Sequence, residues 1–452
     1  MIHYQIVGTT AGEIAGCIEA AIELGDIPAG TALPPIRSLA GSLGVSPGTV
    51  AAAYRRVRDR GLTIPDGRRG TAVRPARDRE AAGRRPGGGV SGRAPTGIVD
   101  LSSGNPDPEL MAPLRRVFDA FEPRTVLYGC PPCLPELGEL MGEALERDGV
   151  PGHRRGAGEG GELTATSGTL DAAQRILGGC LRPGDTVAVE DPGWHAMIEL
   201  ARSLALRLRP VPVDPEGPDP SALWQALASG ARAVVMTARA QNPTGAAVST
   251  GRAAELRAVL GRYPDVLVLE DDHGFAFTGL ALCPVAGSTK RFAFVRSLSK
   301  AYGPDLRLAV VSSDPATARA IESSYRTGAG WVSHLLQGLG AALLGDAEVA
   351  RHLERARATY DERRLALVKA LAVAGIAVEA PSGLNVWVPV DDEASAVGSV
   401  LGEGWLVAEG RGFRIGAAPA VRVTTSALDP GDAPGLAEAL ARAAAAKGRP
   451  SA

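Results

Sequence analysis

The sequence has few cysteines, no long uncharged apolar run and almost no net charge. Its five cysteines, an odd number in a chain of 452 residues, argue against a disulfide framework. Cys130 and Cys133 form a single CxxC pair, which is too little for a zinc motif and leaves a redox role open. Without an apolar run or a basic-then-apolar leader, we expect a soluble, cytoplasmic protein. A formal charge of −2 excludes an overall basic field, so any surface for nucleic acid must be local.

A chain of this length is too long for one core and predicts two or three domains. Residues 1–75 have the pattern of a small helical module. Thr10 followed by Glu13 predicts a capping box at the start of an amphipathic helix. A second helix is predicted over 36–43, and Ser46 is then a natural N-cap for a third helix. Two helices joined by a tight glycine turn predict a helix-turn-helix.

Two short β-prone runs, 62–64 and 71–73, follow the third helix and predict a hairpin. Two arginines lie at its tip, where a hairpin can reach a DNA minor groove or backbone phosphates. The module is thus expected to be a winged DNA-binding domain that is mainly α with a β-hairpin wing. A helical protein-interaction module with a charged face is the alternative.

The segments LPPIRSLA (33–40) and LGVS (43–46), together with the wing, resemble the winged helix-turn-helix of the GntR family of bacterial transcription regulators. That resemblance implies a role in DNA binding for five residues: Arg37, Ser46, Thr49, Gly67 and Arg68.

Residues 76–97 are rich in arginine, glycine and proline and predict a flexible linker. About 20 such residues have an end-to-end distance of roughly 25 Å. From 98 to 448, short apolar strands alternate with helical stretches, which predicts an α/β domain with a mostly parallel sheet. Ligands of such sheets bind beyond the carboxyl ends of the strands.

The segment SLSKAYGPDLRL (297–308) follows a predicted buried strand and contains a lysine, two serines and an arginine. The amine of Lys300 can condense with an aldehyde as a Schiff base, while Ser297, Ser299 and Arg307 can hold a phosphate dianion. This combination suits pyridoxal 5'-phosphate. The alternative is a solvated lysine at the end of a strand. The residues at the ends of the other predicted strands decide between these two interpretations.

Those strand ends carry groups that suit the same cofactor. Thr169 opens a helix whose first amides suit a phosphate, and Trp194 can stack on a flat ring. Asp271 can keep the pyridine nitrogen protonated, which makes the ring an electron sink, and Asn242 can donate to the ring oxygen. The sequence therefore predicts a pyridoxal phosphate site and no metal site.

With these motifs, residues 98–448 resemble the fold-type I aminotransferases, and the pairing with a GntR module resembles the MocR subfamily of regulators. The resemblance implies the roles just given and three further ones. Tyr128 would reach a phosphate across a homodimer interface, Arg422 would receive a ligand carboxylate, and Gly104 would lie in the entrance loop. The sequence departs from the family at His273, where relatives usually have a tyrosine beside the ring oxygen, and at Leu170 and Cys133.

Three functions are compatible with these motifs. The first is a transcription regulator that depends on pyridoxal phosphate. It would bind paired half-sites on DNA as a homodimer and sense the cofactor, an amine or an amino acid. The second is an active aminotransferase with an appended DNA-binding module. In the third, the cofactor only stabilises the fold. The three departures favour regulation over efficient turnover.

Overall fold

The computed structural model describes residues 6–59, 61–65, 70–74, 97–118, 121–151 and 162–445. The expected wing-tip residues Gly67 and Arg68 lie outside this part of the chain, as do residues 76–96 of the expected linker. Within the described residues, no helix is both long enough and apolar enough to span a membrane.

Two helices open the N-terminal module. Helix α1 (Ala11–Leu24) begins with the predicted capping box: the Glu13 amide donates to Thr10 Oγ1, and the Thr10 amide donates to the Glu13 carboxylate. Helix α2 (Ile36–Leu43) ends at Gly44, whose φ of 68° lies in the left-handed region that favours glycine. Apolar side chains of the module form one core that includes Ile14, Ile18, Ile22, Leu39, Val50, Tyr54 and Val57.

The third helix and a hairpin complete the predicted winged helix-turn-helix. Helix α3 (Pro47–Asp59) has proline at its first position, and the Thr49 amide donates to Ser46 Oγ at 3.1 Å, so Ser46 is the N-cap. Strands β1 (Thr63–Pro65) and β2 (Thr71–Val73) pair antiparallel. Each of these elements was predicted from the sequence, and the structure confirms them.

The remaining strands, in chain order, are β3 (Val99–Leu101), β4 (Glu162–Thr166), β5 (Thr186–Asp191), β6 (Arg207–Asp214), β7 (Gly217–Pro218), β8 (Ala233–Thr237), β9 (Leu267–Asp272), β10 (Arg291–Ser297), β11 (Ala309–Ser313), β12 (Asn385–Pro389), β13 (Trp405–Glu409) and β14 (Ala420–Thr424). The remaining helices are α4 (Leu114–Phe118), α5 (Pro135–Arg147), α6 (Thr169–Cys180), α7 (His195–Ser203), α8 (Pro220–Ala228), α9 (Thr250–Leu260), α10 (Ser299–Tyr302), α11 (Pro315–Arg326), α12 (His334–Gly345), α13 (Ala347–Val373), α14 (Glu393–Gly402) and α15 (Ala433–Ala445).

An eight-stranded sheet with the order β4-β11-β10-β9-β8-β5-β6-β7 forms the larger core. The pairings that join β10, β9, β8, β5 and β6 are parallel, and the pairings at both ends of the sheet are antiparallel. Every residue of β8 and β9 is buried, as expected for central parallel strands with both faces covered. The prediction of a mostly parallel sheet is confirmed.

A four-stranded sheet with the order β12-β14-β13-β3 lies in the C-terminal part. It has a separate apolar core, formed with α13, α14 and α15, that includes Leu367, Leu371, Val386, Val421 and Leu436. Its strand β3 comes from the other end of the domain and pairs parallel with β13. The first described residues after the linker are therefore built into this small sheet.

Backbone and side-chain bonds hold the small sheet against the large one. At the end of β5, the Asp191 carboxylate accepts hydrogen bonds from the amides of Ile415, Gly416 and Ala417 at 2.7 to 2.9 Å. His195 Nδ1, at the start of α7, lies 2.9 Å from the Gly412 carbonyl oxygen. These contacts bring the segment that precedes β14, the strand of Arg422, next to the carboxyl ends of the parallel strands.

Candidate cofactor site

Lys300 occupies the second position of the short helix α10, directly after β10. Its Nζ donates to the Gly104 carbonyl oxygen at 2.6 Å. Desolvation, helped by the positive charge of Arg422 and opposed by Asp271, lowers the pKa of Lys300 to about 8. A larger fraction of this amine is therefore neutral near pH 7 than in an ordinary lysine, as a nucleophile for an aldehyde requires.

Asp271 is buried near the end of β9, with 3% of its surface exposed. Its Oδ1 accepts from Thr169 Oγ1 at 3.0 Å, and its Oδ2 lies 2.6 Å from His273 Nδ1. The resemblance placed the Thr169 hydroxyl at the phosphate and His273 near the ring oxygen. In the structure both side chains contact the Asp271 carboxylate.

Asn242 and Arg422 contact each other across the two sheets. Arg422, 5% exposed, donates from Nη1 to Asn242 Oδ1 at 3.2 Å and from Nη2 to the Ser102 carbonyl oxygen. Its guanidinium carbon lies 4.6 Å from the Phe413 ring centroid. Burial lowers the pKa of Arg422 to about 10, so the group stays cationic at neutral pH. Its Nε is buried with no hydrogen-bond partner among the described residues.

Gly104 packs against Arg422 and is linked to Asn242 through two further side chains. Its amide donates to Thr424 Oγ1 at 3.1 Å, and Thr424 Oγ1 donates to Asn385 Oδ1 at 3.0 Å. Asn385 Nδ2 in turn lies 3.5 Å from Asn242 Oδ1. Gly104 has a φ of +70°, and a methyl group there would lie 3.1 Å from Arg422 Nη1, so the position requires glycine.

The expected phosphate cradle lies at the start of α6. Arg307 donates from Nη2 to the Ser167 carbonyl oxygen at 2.9 Å, and a methyl group on Gly168 would come within 3.3 Å of the same nitrogen. Ser297 Oγ accepts from the Ser299 amide at 3.2 Å. The first-turn amides of a helix have no intrahelical acceptor, so this end of α6, beside a guanidinium, suits a phosphate dianion.

Trp194 and Tyr128 are the two aromatic residues that the sequence assigned to the site. Trp194 is partly buried at the N-cap of α7 and packs on the large core. Tyr128 is 92% exposed, with its ring 5.5 Å from that of Trp331 in an edge-on contact. An aromatic ring this exposed is available for contact with another chain.

The cysteine pair near Tyr128 does not form a disulfide. All five cysteines have free thiols, and burial raises the pKa of Cys133 to about 11. A thiol with this pKa is not ionised at neutral pH, which makes Cys133 a poor redox nucleophile. The part of the chain that the structure describes also contains no cluster of side chains placed to bind a metal.

The donor set fits pyridoxal 5'-phosphate. It combines a lysine amine of lowered pKa, a buried carboxylate, an amide and an arginine at a helix N-terminus. Ser102, Asn385, Thr424 and Phe413 also belong to the site and were not predicted. Each is a common residue in a short loop or strand, so only the long-range pairing of the two sheets reveals its position.

Comparison with known proteins supports both the DNA-binding module and the aminotransferase-like domain. Residues 10–73 match the family of bacterial regulatory proteins named gntR, and residues 96–440 match aminotransferase class I and II. The chain is 41% identical over 428 residues to the vitamin B6 salvage pathway transcriptional repressor PtsJ of Salmonella typhimurium, covering 94% of this chain and 96% of PtsJ. It belongs to this family of regulators.

A further relative and a solved structure show the fold of the larger domain. An aspartate/prephenate aminotransferase of Thermus thermophilus is 27% identical over 343 residues, covering 70% of the regulator and 84% of the enzyme. The solved structure of a Pyrococcus horikoshii kynurenine aminotransferase superposes with a TM-score of 0.68 at 21% identity, covering 77% of the regulator and 91% of that chain. The regulator therefore has the fold-type I architecture behind its DNA-binding module, an arrangement consistent with the MocR type.

Proposed function

We propose that this regulator binds pyridoxal 5'-phosphate at Lys300 and that the bound cofactor changes its affinity for DNA. The convergence of Lys300, Asp271, Asn242 and Arg307 at one edge of the sheet is the observation that carries this function. These residues come from three separate segments of the chain, with Lys300 and Arg307 on the same one, and each provides a group that the cofactor needs.

When bound, pyridoxal phosphate supplies an aldehyde that reacts with an amine and a ring that withdraws electrons. Lys300 would provide the amine, Asp271 would pair with the ring nitrogen, and Asn242 would donate to the ring oxygen. Trp194 would stack on the ring. Thr169 would hold the phosphate through its backbone amide at the start of α6, with Ser297, Ser299 and Arg307 beside it and Tyr128 contributed by a second subunit.

The likeness to PtsJ, which is named as a repressor of vitamin B6 salvage, supports the same class of target gene here. A repressor of vitamin B6 salvage is useful if it binds its operator more tightly when pyridoxal phosphate, the form of the vitamin that fits the site, accumulates. We therefore expect bound pyridoxal phosphate to favour the arrangement of the two DNA-binding modules that fits the operator.

The DNA-contacting residues belong to the helix-turn-helix. Ser46 and Thr49 lie at the start of α3, with their hydroxyl oxygens 2.9 Å apart, and Arg37 is the second residue of α2. In this type of motif, the start of the second helix enters the major groove. A homodimer would place two such helices on paired half-sites.

An active aminotransferase is the second candidate, and Arg422 is the observation that favours it. A buried guanidinium near Lys300 can receive the carboxylate of an amino acid. Sustained conversion of an amino acid and a 2-oxo acid at ordinary enzymatic rates would establish this function beside regulation.

DNase footprinting on the DNA upstream of the regulator's own gene, with increasing pyridoxal phosphate, tests the main function. The wild type should protect repeated sites, with protection that strengthens as the cofactor is added. Lys300→Ala should protect the same sites without a cofactor response. Lys290→Ala is the matched control because Lys290 is 74% exposed and faces Asp265 at 3.8 Å, away from the site.

Protection that responds equally to the cofactor in wild type and Lys300→Ala would contradict attachment at Lys300 as the signal. The attachment itself is read separately, by borohydride reduction followed by peptide mass spectrometry. The added mass should lie on the peptide that contains Lys300 and disappear in Lys300→Ala only.

A further inference from the structure

His273 has an oxygen atom opposite each of its ring nitrogens. Nδ1 lies 2.6 Å from Asp271 Oδ2, and Nε2 lies 2.9 Å from the Ala240 carbonyl oxygen. A carbonyl oxygen can only accept, and so can an ionised carboxylate. A neutral imidazole carries one N–H, which satisfies one of these oxygens and turns a nitrogen lone pair toward the other.

We infer that His273 is a doubly protonated imidazolium, a fixed cation that pairs with Asp271 inside the site. Both nitrogens then donate, and both oxygens are satisfied. The other proton arrangement places a proton on Asp271 and leaves Nδ1 as an acceptor. An ordinary carboxyl has a pKa of about 3.9 and an ordinary imidazole one of about 6.5, so the shared proton belongs on the imidazole.

A second contact favours the ionised carboxylate. The Thr169 hydroxyl donates to the other oxygen of Asp271 at 3.0 Å, and a donor to a carboxylate stabilises its charged form. Desolvation opposes the charge on His273, but the Asp271 charge and hydrogen bond prevail, so the pKa of His273 is raised above its ordinary value.

The groups around the imidazole come from several elements. Asp271 lies on the same strand, the Lys300 amine on α10 opposes the positive charge, and the Phe277 ring stacks at 6.4 Å. Two further arginines are near, but Arg239 and Arg296 are each paired with Asp272, at 2.8 and 3.0 Å. Asp271 is thus the carboxylate that compensates His273.

The consequence for the cofactor rests on the proposed function. A protonated pyridine nitrogen would be a second cation on a carboxylate that already accepts from His273 and Thr169. Holding that proton is therefore less favourable than beside an uncompensated carboxylate, and an unprotonated ring is a weaker electron sink. His273 thus suits a site that retains its cofactor but turns over slowly.

Nitrogen NMR on the full-length protein, labelled with ¹⁵N-histidine, tests the charge of His273 directly. The chain has six histidines, and the signals lost in His273→Asn identify the two nitrogens of interest. Both should be protonated at a pH above the ordinary imidazole pKa of about 6.5. A bare Nδ1 at neutral pH would overturn the inference.

His334 is the internal control. Its Nε2 lies 2.9 Å from the Pro131 carbonyl oxygen, and its Nδ1 has no hydrogen-bond partner among the described residues. With a single facing oxygen this ring requires a single N–H, so its signals are the reference with which those of His273 are compared. Spectra without added cofactor decide the charge of His273 even where pyridoxal phosphate fails to bind, so the two proposals can fail separately.

A second readout follows the cofactor. In His273→Asn the side-chain amide keeps a donor for Asp271 but removes the positive charge. Cofactor attachment to Lys300 should be retained by mass spectrometry, while the single-turnover reaction with an amino acid should become about tenfold faster, the equivalent of one pKa unit at the ring nitrogen. An unchanged or slower reaction with retained attachment would contradict the role of the charge.

Discussion

At the scale of single residues, the charges around Lys300 make its reactivity depend on pH in a way that can be tested. Desolvation and the Arg422 charge lower the pKa of Lys300 to about 8, while Asp271 raises it. The neutral amine is the reactive form, so cofactor attachment should become about tenfold faster per pH unit below that value and level off above it. Stopped-flow absorbance of the bound cofactor measures this rate.

Two substitutions should move the plateau in opposite directions. Arg422→Gln removes a positive charge and should shift the plateau to higher pH, whereas Asp271→Asn removes a negative charge and should shift it to lower pH. A plateau near the ordinary lysine pKa in the wild type, or equal shifts of one sign in both variants, would contradict this electrostatic account.

The two adjacent threonines at the end of β14 offer a second prediction. Thr424 accepts from Gly104 and donates to Asn385, whereas Thr425 donates to the Leu384 carbonyl oxygen at 3.1 Å. Replacing either with valine should cost about 1–3 kcal/mol of unfolding free energy, because buried partners are left unsatisfied. Only Thr424→Val should also weaken pyridoxal phosphate binding, by about tenfold or 1.4 kcal/mol.

Absorbance titration with the cofactor and urea denaturation provide the two measurements. Equal loss of cofactor affinity in both threonine variants would show that Thr424 acts through the stability of the fold alone.

The neighbouring residues Asp271 and Asp272 show what the sequence can reveal at this scale. Successive residues of a strand face opposite sides of the sheet, so only one of them can reach the site. The strand-end position and the likeness to aminotransferases favour Asp271, and its charge is the one that acts on Lys300. The partners of Asp272, two arginines distant along the chain, follow from the packing of three segments and could not be predicted locally.

At the scale of elements, this second aspartate supports the strand beneath the site. Asp272 and Arg296 are fully buried, and Arg296 also pairs with Asp148 at 2.6 Å. Asp272→Asn leaves Arg239 and Arg296 without their shared counter-charge and should cost about 3–5 kcal/mol of unfolding free energy. Urea denaturation of the full chain measures the change.

Asp214→Asn is the matched control for this prediction. Asp214 pairs with Arg252 at 2.8 Å, but 48% of its side chain is exposed. Its loss should cost about 0–1 kcal/mol. Similar costs for the two aspartates would show that the buried network has no special role in the sheet.

Helix α3 gives a prediction for the DNA-binding module. Ser46→Ala removes the N-cap acceptor of the Thr49 amide and should destabilise the module by about 1 kcal/mol, with weaker operator binding. Ser42→Ala is the control, since Ser42 Oγ donates to the Leu39 carbonyl oxygen within α2 and caps no helix start. Fluorescence anisotropy with operator DNA measures affinity, and thermal melts measure stability. Intact DNA binding in Ser46→Ala would show that Ser46 is not part of the DNA interface.

At the scale of the whole molecule, the exposed Tyr128 predicts that each site is shared between two subunits. Mixed dimers of Lys300→Ala with Tyr128→Ala test this. If Tyr128 serves the partner's site, each mixed dimer has one intact site and one site with both defects. Tight cofactor binding should then reappear on mixing, measured by absorbance titration.

If Tyr128 serves its own subunit, every site in a mixed dimer has one defect and mixing restores nothing. The matched control mixes Lys300→Ala with wild type, in which the tight sites come from the wild-type subunit alone under either arrangement.

The order of domains and the mostly parallel sheet could be predicted, because local periodicity and strand-end residues reflect them. The separate core of the small sheet could not. Its strand β3 precedes its other strands by more than 280 residues, and no local pattern in Val99–Leu101 specifies β13 as its partner. The Asp191 contact with residues 415–417 depends on the same long-range pairing.

Strand β3 also connects the cofactor site to the end of the expected linker. The loop that follows it supplies the Ser102 and Gly104 carbonyl oxygens to Arg422 and Lys300. Gly97, the last residue of the expected linker and the one at which the described chain resumes, is seven residues before Gly104, a fully extended reach of at most about 25 Å. The loop that contacts Arg422 and Lys300 and the end of the expected linker thus belong to one continuous segment of backbone. A displacement of this loop would therefore move the end of the linker directly, without a chain of contacts through the protein interior.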